Sequence, residues 1–276
     1  MRIILFASRH SVGQTLPLYK RRRFFRFMKK LSIITINYNN AQGLRKTIES
    51  VVSQENPDYE YIVIDGNSTD DSVVVIEQYA DQITYWASES NRGIYGNMNQ
   101  GIQEATGEYC LFLNSGDWLV PGALNRILPL CKNFDIFYCN TYLSYTITRT
   151  KELRYPKELT LFSFYKRNIN HQSTLIKTSL FDTYGLYNEK NRVHSDYEFW
   201  IKAIIMGNCS CKHLDDFLAY YDMNGISSKP NPSSQAELLK ILNTYVPPRI
   251  LADYQYWLGD NKVSKVIHWL KSKEIW

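Results

Sequence analysis

The run Tyr109-Cys110-Leu111-Phe112-Leu113 ends at the turn Asn114-Ser115-Gly116-Asp117, and this stretch decides the fold. An apolar run with aromatic residues and no breaker predicts a buried strand. A second run, Tyr61-Ile62-Val63-Ile64, leads directly into Asp65-Gly66-Asn67-Ser68-Thr69-Asp70-Asp71. Ligands bind at the carboxyl ends of strands in open α/β sheets. Two strands followed by acids therefore predict one acidic crevice that binds a nucleotide and a metal ion.

Strands and helices alternate along the first half of the chain. The pattern predicts strands at 31–36, 59–64, 83–86 and 109–113, with helices at 42–54, 71–80 and 96–105 between them. Later segments predict a helix at 121–132, strands at 134–138 and 141–148, a helix at 195–206 and a helical tail at 235–276. We therefore expect an α/β fold with a single mixed, mostly parallel sheet, helices on both faces and a helical C-terminal tail.

The charge of the chain is concentrated at its start. The net charge is +5, but the first thirty residues hold nine Lys or Arg and no acid, so the other residues carry a net −4. A mildly acidic body gives no electrostatic argument for nucleic-acid binding. The five cysteines form no disulfide framework, which favours reduced thiols in a cytosolic protein.

The basic residues 1–30 differ from the rest and lead through Met28 into the first strand. Two hypotheses fit: translation starts at Met28, or the segment is a disordered leader. A basic tail that contacts anionic lipid is the alternative. Residues 3–7 are too short for a signal sequence, and no apolar segment reaches the roughly 18 residues of a membrane span.

Six motifs in order resemble those of the family 2 glycosyltransferases, which have the GT-A fold, and most closely the bacterial members that assemble polysaccharides and cell-surface glycans. They lie at 35–39, 65–70, 91–102, 113–117, 171–172 and 194–200. The resemblance implies a GT-A catalytic domain at 31–230, with a donor half at 31–118 and an acceptor half at 119–230. A helical extension at 231–276 follows it.

The resemblance implies a nucleotide-diphosphate sugar as the donor. Asp65 would accept a hydrogen bond from the base, and Tyr38 would stack on it. Ser115 would lie at the donor, and Arg92 would contact the diphosphate, although a solvated loop position is an equal alternative for this arginine. Asp70 is expected to cap a helix rather than to bind a ligand.

Asp117 is the expected ligand of Mg²⁺ or Mn²⁺, which would neutralise charge on the diphosphate leaving group. Ser115 stands where the DxD motif of the family has its first acid, so a single carboxylate and neutral oxygens imply weaker metal binding. The alternative for Asp117 is a turn residue that caps the next helix. The alternative for the whole chain is a catalytically weak or inactive sugar-nucleotide-binding protein of the same fold.

Asp196 occupies the position of the family's catalytic carboxylate. It would remove the proton of the acceptor hydroxyl, and the family implies inversion at the anomeric carbon. The alternative is a first-turn acid that the helix dipole favours. His171, His194 and Trp200 are expected to line the cleft of a glycan or lipid-linked acceptor. Helical spacing places Glu198 on a different face from Asp196, which excludes a paired acid and base.

The end of the tail has an apolar stripe with lysines nearby, formed by Val263, Val266, Ile267 and Leu270. Such a basic amphipathic helix can lie in a membrane interface, and packing on the protein itself or on a dimer partner is the alternative. The expected location is the cytoplasm, with peripheral contact at the inner face of the cytoplasmic membrane as a further hypothesis.

Overall fold

One sheet positions the candidate site, and its strands come from most of the chain. The structure is a computed structural model that describes residues 29–146, 148–225 and 232–258. The strands are β1 (Leu31–Asn37), β2 (Tyr59–Asp65), β3 (Tyr85–Ser88), β4 (Tyr109–Phe112), β5 (Trp118–Leu119), β6 (Ile136–Thr146), β7 (Arg149–Leu153), β8 (Thr174–Lys177) and β9 (Cys211–Asp222).

The sheet is mixed. Its order is β3-β2-β1-β4-β8-β6-β9-β5, and β7 pairs with β6. The long ladders β1–β2 and β6–β9 are parallel, as are β1–β4 and β2–β3. β5, β7 and β8 run antiparallel to their neighbours. The prediction of a single mixed, mostly parallel sheet is confirmed.

Helices cover both faces of this sheet. They are α1 (Ala41–Val52), α2 (Ser72–Gln78), α3 (Gly93–Glu104), α4 (Ala123–Ile127), α5 (Leu161–Lys166), α6 (Ser179–Tyr184), α7 (Ser195–Trp200), α8 (Pro232–Tyr245) and α9 (Pro248–Leu258). Successive β1 residues bury on opposite faces because side chains alternate along a strand. Ile33 belongs to the core cluster of α1, and Ile34 belongs to the cluster of α3 and α7.

The predicted elements of the first half are confirmed within a few residues. The two strands predicted at 134–138 and 141–148 are wrong, because β6 runs through both segments without a break. The helix predicted at 121–132 is shorter, since α4 ends at Ile127 and a 3₁₀ turn follows. The predicted helix at 195–206 is present, and α7 continues as a π-helix over Ile201–Met206. α5, α6, β8 and β9 were not predicted.

The C-terminal helices α8 and α9 pack on the body that carries the sheet. Ile241, Leu242, Val246 and Leu251 join the core cluster that contains α3 and α7. The leader up to residue 28 and the stripe at 263–270 lie outside the described residues. No helix in the described part of the chain is both long and apolar enough to cross a lipid bilayer.

Gly101 sets the distance between α3 and β1. It is buried, and an added Cβ would overlap Cγ2 of Ile34. We expect Gly101→Ala to lower the free energy of unfolding, because overpacking costs about 1–3 kcal/mol and the better helix propensity of Ala returns only about 1 kcal/mol. Urea denaturation measures this change. Gln103→Ala, on the exposed side of α3, is the control and should not destabilise the protein. A Gly101→Ala protein as stable as the wild type would contradict this packing.

Candidate active site

The turn after β4 is fixed by the sheet and by α1. The Ser115 N–H donates to the carbonyl of Ile36 at 3.0 Å, and the Asp117 N–H donates to the carbonyl of Asn114 at 3.0 Å. Gly116 has φ +106, a value that favours glycine. The hydroxyl of Thr47 in α1 accepts from Gly116 N–H at 3.0 Å and donates to the Asp117 carbonyl at 2.6 Å. The turn therefore holds Asp117 rigidly at the carboxyl end of β4.

The Asp117 carboxylate is only 4% exposed. One oxygen accepts from Nε2 of Gln172 at 2.9 Å, and the other accepts from the backbone N–H of Asp222 at 2.8 Å. Burial raises the pKa of Asp117 to about 6, and the Asp222 carboxylate adds to this shift. A buried acid with a raised pKa beside a second acid is typical of a functional site.

Asp222, at the end of β9, is a candidate site residue that was missed. Its Oδ1 accepts from the backbone and side-chain N–H groups of Asn224 at 3.0 and 2.8 Å. Lys46 on α1 interacts with both Asp222 and Asp117, although burial lowers the pKa of this lysine. The signal was present, because Phe217-Leu218-Ala219-Tyr220-Tyr221 is an apolar run that ends in an acid. The polar residues before this run do not predict a strand, so the run by itself does not identify Asp222 as a site residue.

Oxygen atoms around this turn fit a hard divalent cation. In the described ranges, no three His, Cys, Asp or Glu side chains are placed to hold a metal ion. The turn supplies Asp117 and neutral oxygens, with Asp222 beside it. Asn114 adds a buried Oδ1 that accepts no hydrogen bond from the residues described. Mg²⁺ binds through one or two carboxylates and takes its other ligands from water and phosphate, so this donor set suits it or Mn²⁺.

Asp196 lies in the first turn of α7 and is 6% exposed. Its Oδ1 accepts from the backbone N–H of Tyr197 at 2.8 Å and from the hydroxyl of Tyr95 at 3.3 Å. Burial raises the pKa of Tyr95, and Asp196 adds to the shift, so this phenol stays a donor. Glu198 faces elsewhere and accepts from Asn188, Asn191 and Tyr245. The prediction that Asp196 and Glu198 are not a pair is confirmed.

His171 connects Asp196 to the turn after β4. Its Nδ1 lies 3.3 Å from Oδ2 of Asp196, and its Nε2 lies 3.2 Å from Nδ2 of Asn114. The Asn114 amide nitrogen is a donor, so Nε2 accepts and Nδ1–H donates to Asp196 in this tautomer. The next residue, Gln172, holds Asp117. Two adjacent residues therefore tie the candidate base and the candidate metal ligand into one unit.

Asp196 opens onto a cleft of about 410 Å³. His171 and His194 line this cleft, and their role toward an acceptor stays a prediction. A 2.7 Å contact between Nε2 and the hydroxyl of Ser234 fixes His194. The prediction for Trp200 is wrong. This side chain is fully buried, packs against Phe199 within the core cluster and is not among the described residues that line the cleft.

α8 also shapes this cleft. The Glu237 carboxylate accepts the backbone N–H groups of Arg192, Val193 and His194 at 2.8, 3.0 and 2.7 Å. These residues immediately precede α7. Glu237 therefore fixes the lip of the cleft and the start of the helix that carries Asp196.

The residues expected at the donor base lie at the ends of β1 and β2. Asp65 is 1% exposed, and its carboxylate accepts four hydrogen bonds, from Asn37, Ser88 and twice from Ser68. A base N–H could reach it only if one of the serine hydroxyls turned away. Tyr38 is 55% exposed, so its ring is accessible to a ligand.

The other expected donor residues surround the same edge of the sheet. Arg92 is exposed just before α3, and Asn40 donates to the carbonyl and hydroxyl of Ser115 at 3.1 and 3.3 Å. Asp70 accepts from the N–H groups of Ala41 and Ser72, the first residues of α1 and α2, although the N-cap residue of α2 is Asp71. The contacts of Tyr38, Asp65, Arg92 and Ser115 with a donor stay predictions.

Comparison with known proteins gives one family. The family model for glycosyl transferase family 2 matches residues 32–190. An uncharacterized glycosyltransferase of Mycobacterium tuberculosis is 30% identical over 209 residues, which cover 74% of this chain and 79% of that protein.

Solved structures with a similar fold are glycosyltransferases. Staphylococcus aureus TarS aligns with a TM-score of 0.63 at 20% identity, covering 85% of this chain and 44% of TarS, so the chain spans less than half of that protein. TarS 1–349 in complex with UDP-GlcNAc aligns with a TM-score of 0.64 at 21% identity, covering 78% of this chain and 67% of that one. The mannosyltransferase PcManGT from Pyrobaculum calidifontis, in complex with GDP-Man and Mn²⁺, aligns with a TM-score of 0.57 at 16% identity. The alignment covers 80% of this chain and 67% of that one.

Proposed function

This chain belongs to glycosyl transferase family 2, and we propose that it moves a sugar from a nucleotide-diphosphate sugar to an acceptor hydroxyl with inversion at the anomeric carbon. It is a glycosyltransferase, and its fold is that of GT-A enzymes such as TarS. The proposal adds a single displacement, in which an α-linked donor gives a β-linked product. It also assigns Asp196 as the general base.

One observation carries the proposal. The adjacent residues His171 and Gln172 bind Asp196 and Asp117, so the base and the leaving-group side are held in one unit. The Tyr197 backbone N–H, His171 Nδ1–H and Asn168 Nδ2–H orient the Asp196 carboxylate. The Tyr95 hydroxyl donates mainly to the Val193 carbonyl at 2.5 Å. Asp196 would take the proton of the acceptor hydroxyl as the oxygen attacks the anomeric carbon. A positioned base of this kind contributes about 10²–10⁴-fold in rate.

We propose that Asp117 binds Mg²⁺ or Mn²⁺, with Asp222 and Ser115 beside it. A bound cation would neutralise charge on the diphosphate leaving group. The raised pKa of Asp117 and its acidic neighbour support this assignment. The complex of PcManGT with GDP-Man and Mn²⁺ is consistent with it.

The donor assignment uses the edge of the sheet where β1, β2 and β4 end. Tyr38 would stack on the base and Asp65 would bind it, while Arg92 and Ser115 would contact the diphosphate side. The UDP-GlcNAc complex of TarS supports a nucleotide sugar as donor. For the acceptor we propose a glycan or lipid-linked hydroxyl used in polysaccharide or cell-surface glycan assembly at the cytoplasmic face of the membrane.

A catalytically weak or inactive sugar-nucleotide-binding protein is the second candidate. Two observations favour it. The turn after β4 has one carboxylate, both of whose oxygens already accept hydrogen bonds. The Asp65 carboxylate is saturated as well. Turnover of a donor distinguishes the two candidates, since a binding protein would release no nucleoside diphosphate.

Donor binding should depend on Mn²⁺ and on pH. Because burial raises the pKa of Asp117 to about 6, a proton competes with the cation below that pH. Apparent Mn²⁺ affinity is expected to fall about tenfold per pH unit below 6 and to level off above it. The measurement is a thermal-shift titration of UDP- and GDP-sugars with Mn²⁺ between pH 5 and 8. A donor-induced shift that needs no divalent cation would remove the metal from the proposal, and no shift with any nucleotide sugar would contradict the donor assignment.

A further inference from the structure

The cleft beside Asp196 is lined by both apolar and charged side chains. The apolar residues include Leu143 of β6, Leu153 of β7 and Ile169 in the segment before His171. The charged residues among those described are Asp196, Arg167 and Arg192. An occupant that satisfies both kinds of group is amphipathic.

The guanidinium groups of the two arginines form no ion pair among the described residues. Both are exposed at the cleft, Arg167 just after α5 and Arg192 in the loop before α7. Their backbone N–H groups bond to Ser163 and Glu237, but neither guanidinium makes a hydrogen bond or an ion pair with any residue that the structure describes. Arginine presents a planar fork that matches oxyanions, so a pair at one cleft points to an anionic ligand.

The local charge is opposite to that of the body. Asp196 is the one acid among the described residues that line the cleft, and Arg167 and Arg192 outnumber it. The chain beyond residue 30 carries a net −4. Cationic clefts in an otherwise acidic surface concentrate anions by focusing the field.

The donor does not account for this pair. Tyr38, Asp65, Arg92, Ser115 and Asp117 do not line the cleft among the residues described, whereas Asp196 and His171 do. The arginines therefore lie on the side where the acceptor hydroxyl must approach the base.

We propose that the acceptor is an amphipathic anion, with a phosphate or carboxylate held by Arg167 and Arg192 and an apolar segment against Leu143, Leu153 and Ile169. The identity of this ligand as the acceptor rests on the proposed function. The preference of the cleft for an amphipathic anion does not rest on the proposed function, and binding measurements alone test it.

The test measures binding of four probes to the full chain by isothermal titration calorimetry. The probes are n-octyl phosphate, octanoate, n-octyl β-glucoside and inorganic phosphate. We expect n-octyl phosphate or octanoate to bind at least tenfold more tightly than n-octyl β-glucoside, and more tightly than inorganic phosphate. The two anionic probes distinguish a phosphate from a carboxylate head.

The double variant Arg167→Gln/Arg192→Gln should abolish the preference for anions, and Arg167→Lys/Arg192→Lys should retain part of it. Lys190→Gln removes a cation next to the same loop but outside the cleft lining, and it should change nothing. Thermal unfolding checks that each variant is folded.

Equal binding of the octyl glucoside and the anionic probes would overturn the proposal, and so would a double variant that keeps the preference. If inorganic phosphate bound as tightly as n-octyl phosphate, the proposal that the ligand has an apolar segment bound in the cleft would be overturned. Loss of UDP or GDP binding in the double variant would assign the arginines to the donor instead. Failure of all nucleotide sugars to bind contradicts the proposed function but leaves the probe result standing, so the two failures are distinguishable.

Discussion

Asp196→Asn is expected to lower kcat for sugar transfer by about 10²–10⁴-fold, the usual contribution of a positioned general base. The amide keeps an oxygen that can accept from the Tyr197 N–H and the Tyr95 hydroxyl. It cannot take a proton from the acceptor. Binding of the nucleoside diphosphate should change little, because Asp196 lines a cleft that does not include Tyr38, Asp65, Arg92 or Ser115 among its described lining residues.

The measurement is nucleoside-diphosphate release in the presence of acceptor, with nucleotide binding followed in parallel. Asp182→Asn is a matched control, since it changes an exposed carboxylate in the first turn of α6. It should retain full activity. An Asp196→Asn enzyme with more than a small fraction of wild-type turnover would mean that another group accepts the proton.

Asp117→Asn is expected to have opposite effects on activity and stability. Activity should fall with Mn²⁺ binding, because the substitution replaces the one carboxylate of the turn at 114–117 by a neutral amide, which attracts a dication less strongly. Stability at neutral pH should rise. The Asp117 pKa is raised on folding from 3.8 to about 6, so the folded state binds a proton more tightly and loses stability as pH increases through this interval.

Two pKa units correspond to about 3 kcal/mol, from which a poorer contact with Gln172 must be subtracted. We therefore expect Asp117→Asn to unfold at higher temperature above pH 6 and to match the wild type near pH 4. Calorimetry from pH 4 to pH 8 without metal measures the difference between the two proteins. A constant difference across this range would show that the buried charge of Asp117 is not its cause.

The sequence alone predicts those parts of the fold and of the site that depend on residues close together in the chain. Apolar runs that end in acids located β2, β4 and the edge of the sheet where Asp65 and Asp117 lie. Trp200 was misplaced because helix periodicity does not say which face meets the core until the neighbouring elements are known. β9 was missed although it ends in Asp222, since its polar first half breaks the strand pattern.

The contacts within the site could not be predicted from the sequence. His171 meets Asp196 across 25 positions, and Gln172 meets Asp117 across 55. These distances in sequence are closed by β8 and by the start of α7, whose packing depends on the whole sheet. The family resemblance identifies these residues as members of the site, but only the folded structure shows which of them are in contact.

The hydrogen bonds of Glu237 limit how far this enzyme can be truncated from its C-terminal end. The family match ends at residue 190, before Asp196, and the expected catalytic domain ends at residue 230. A chain shortened to either point would lose the carboxylate that accepts three successive N–H groups at 192–194, of which those of Val193 and His194 are partly buried. A buried donor left without a partner costs about 1–3 kcal/mol, and a partly exposed one costs less. We therefore expect the smallest autonomous enzyme to be longer than its family signature and to include α8.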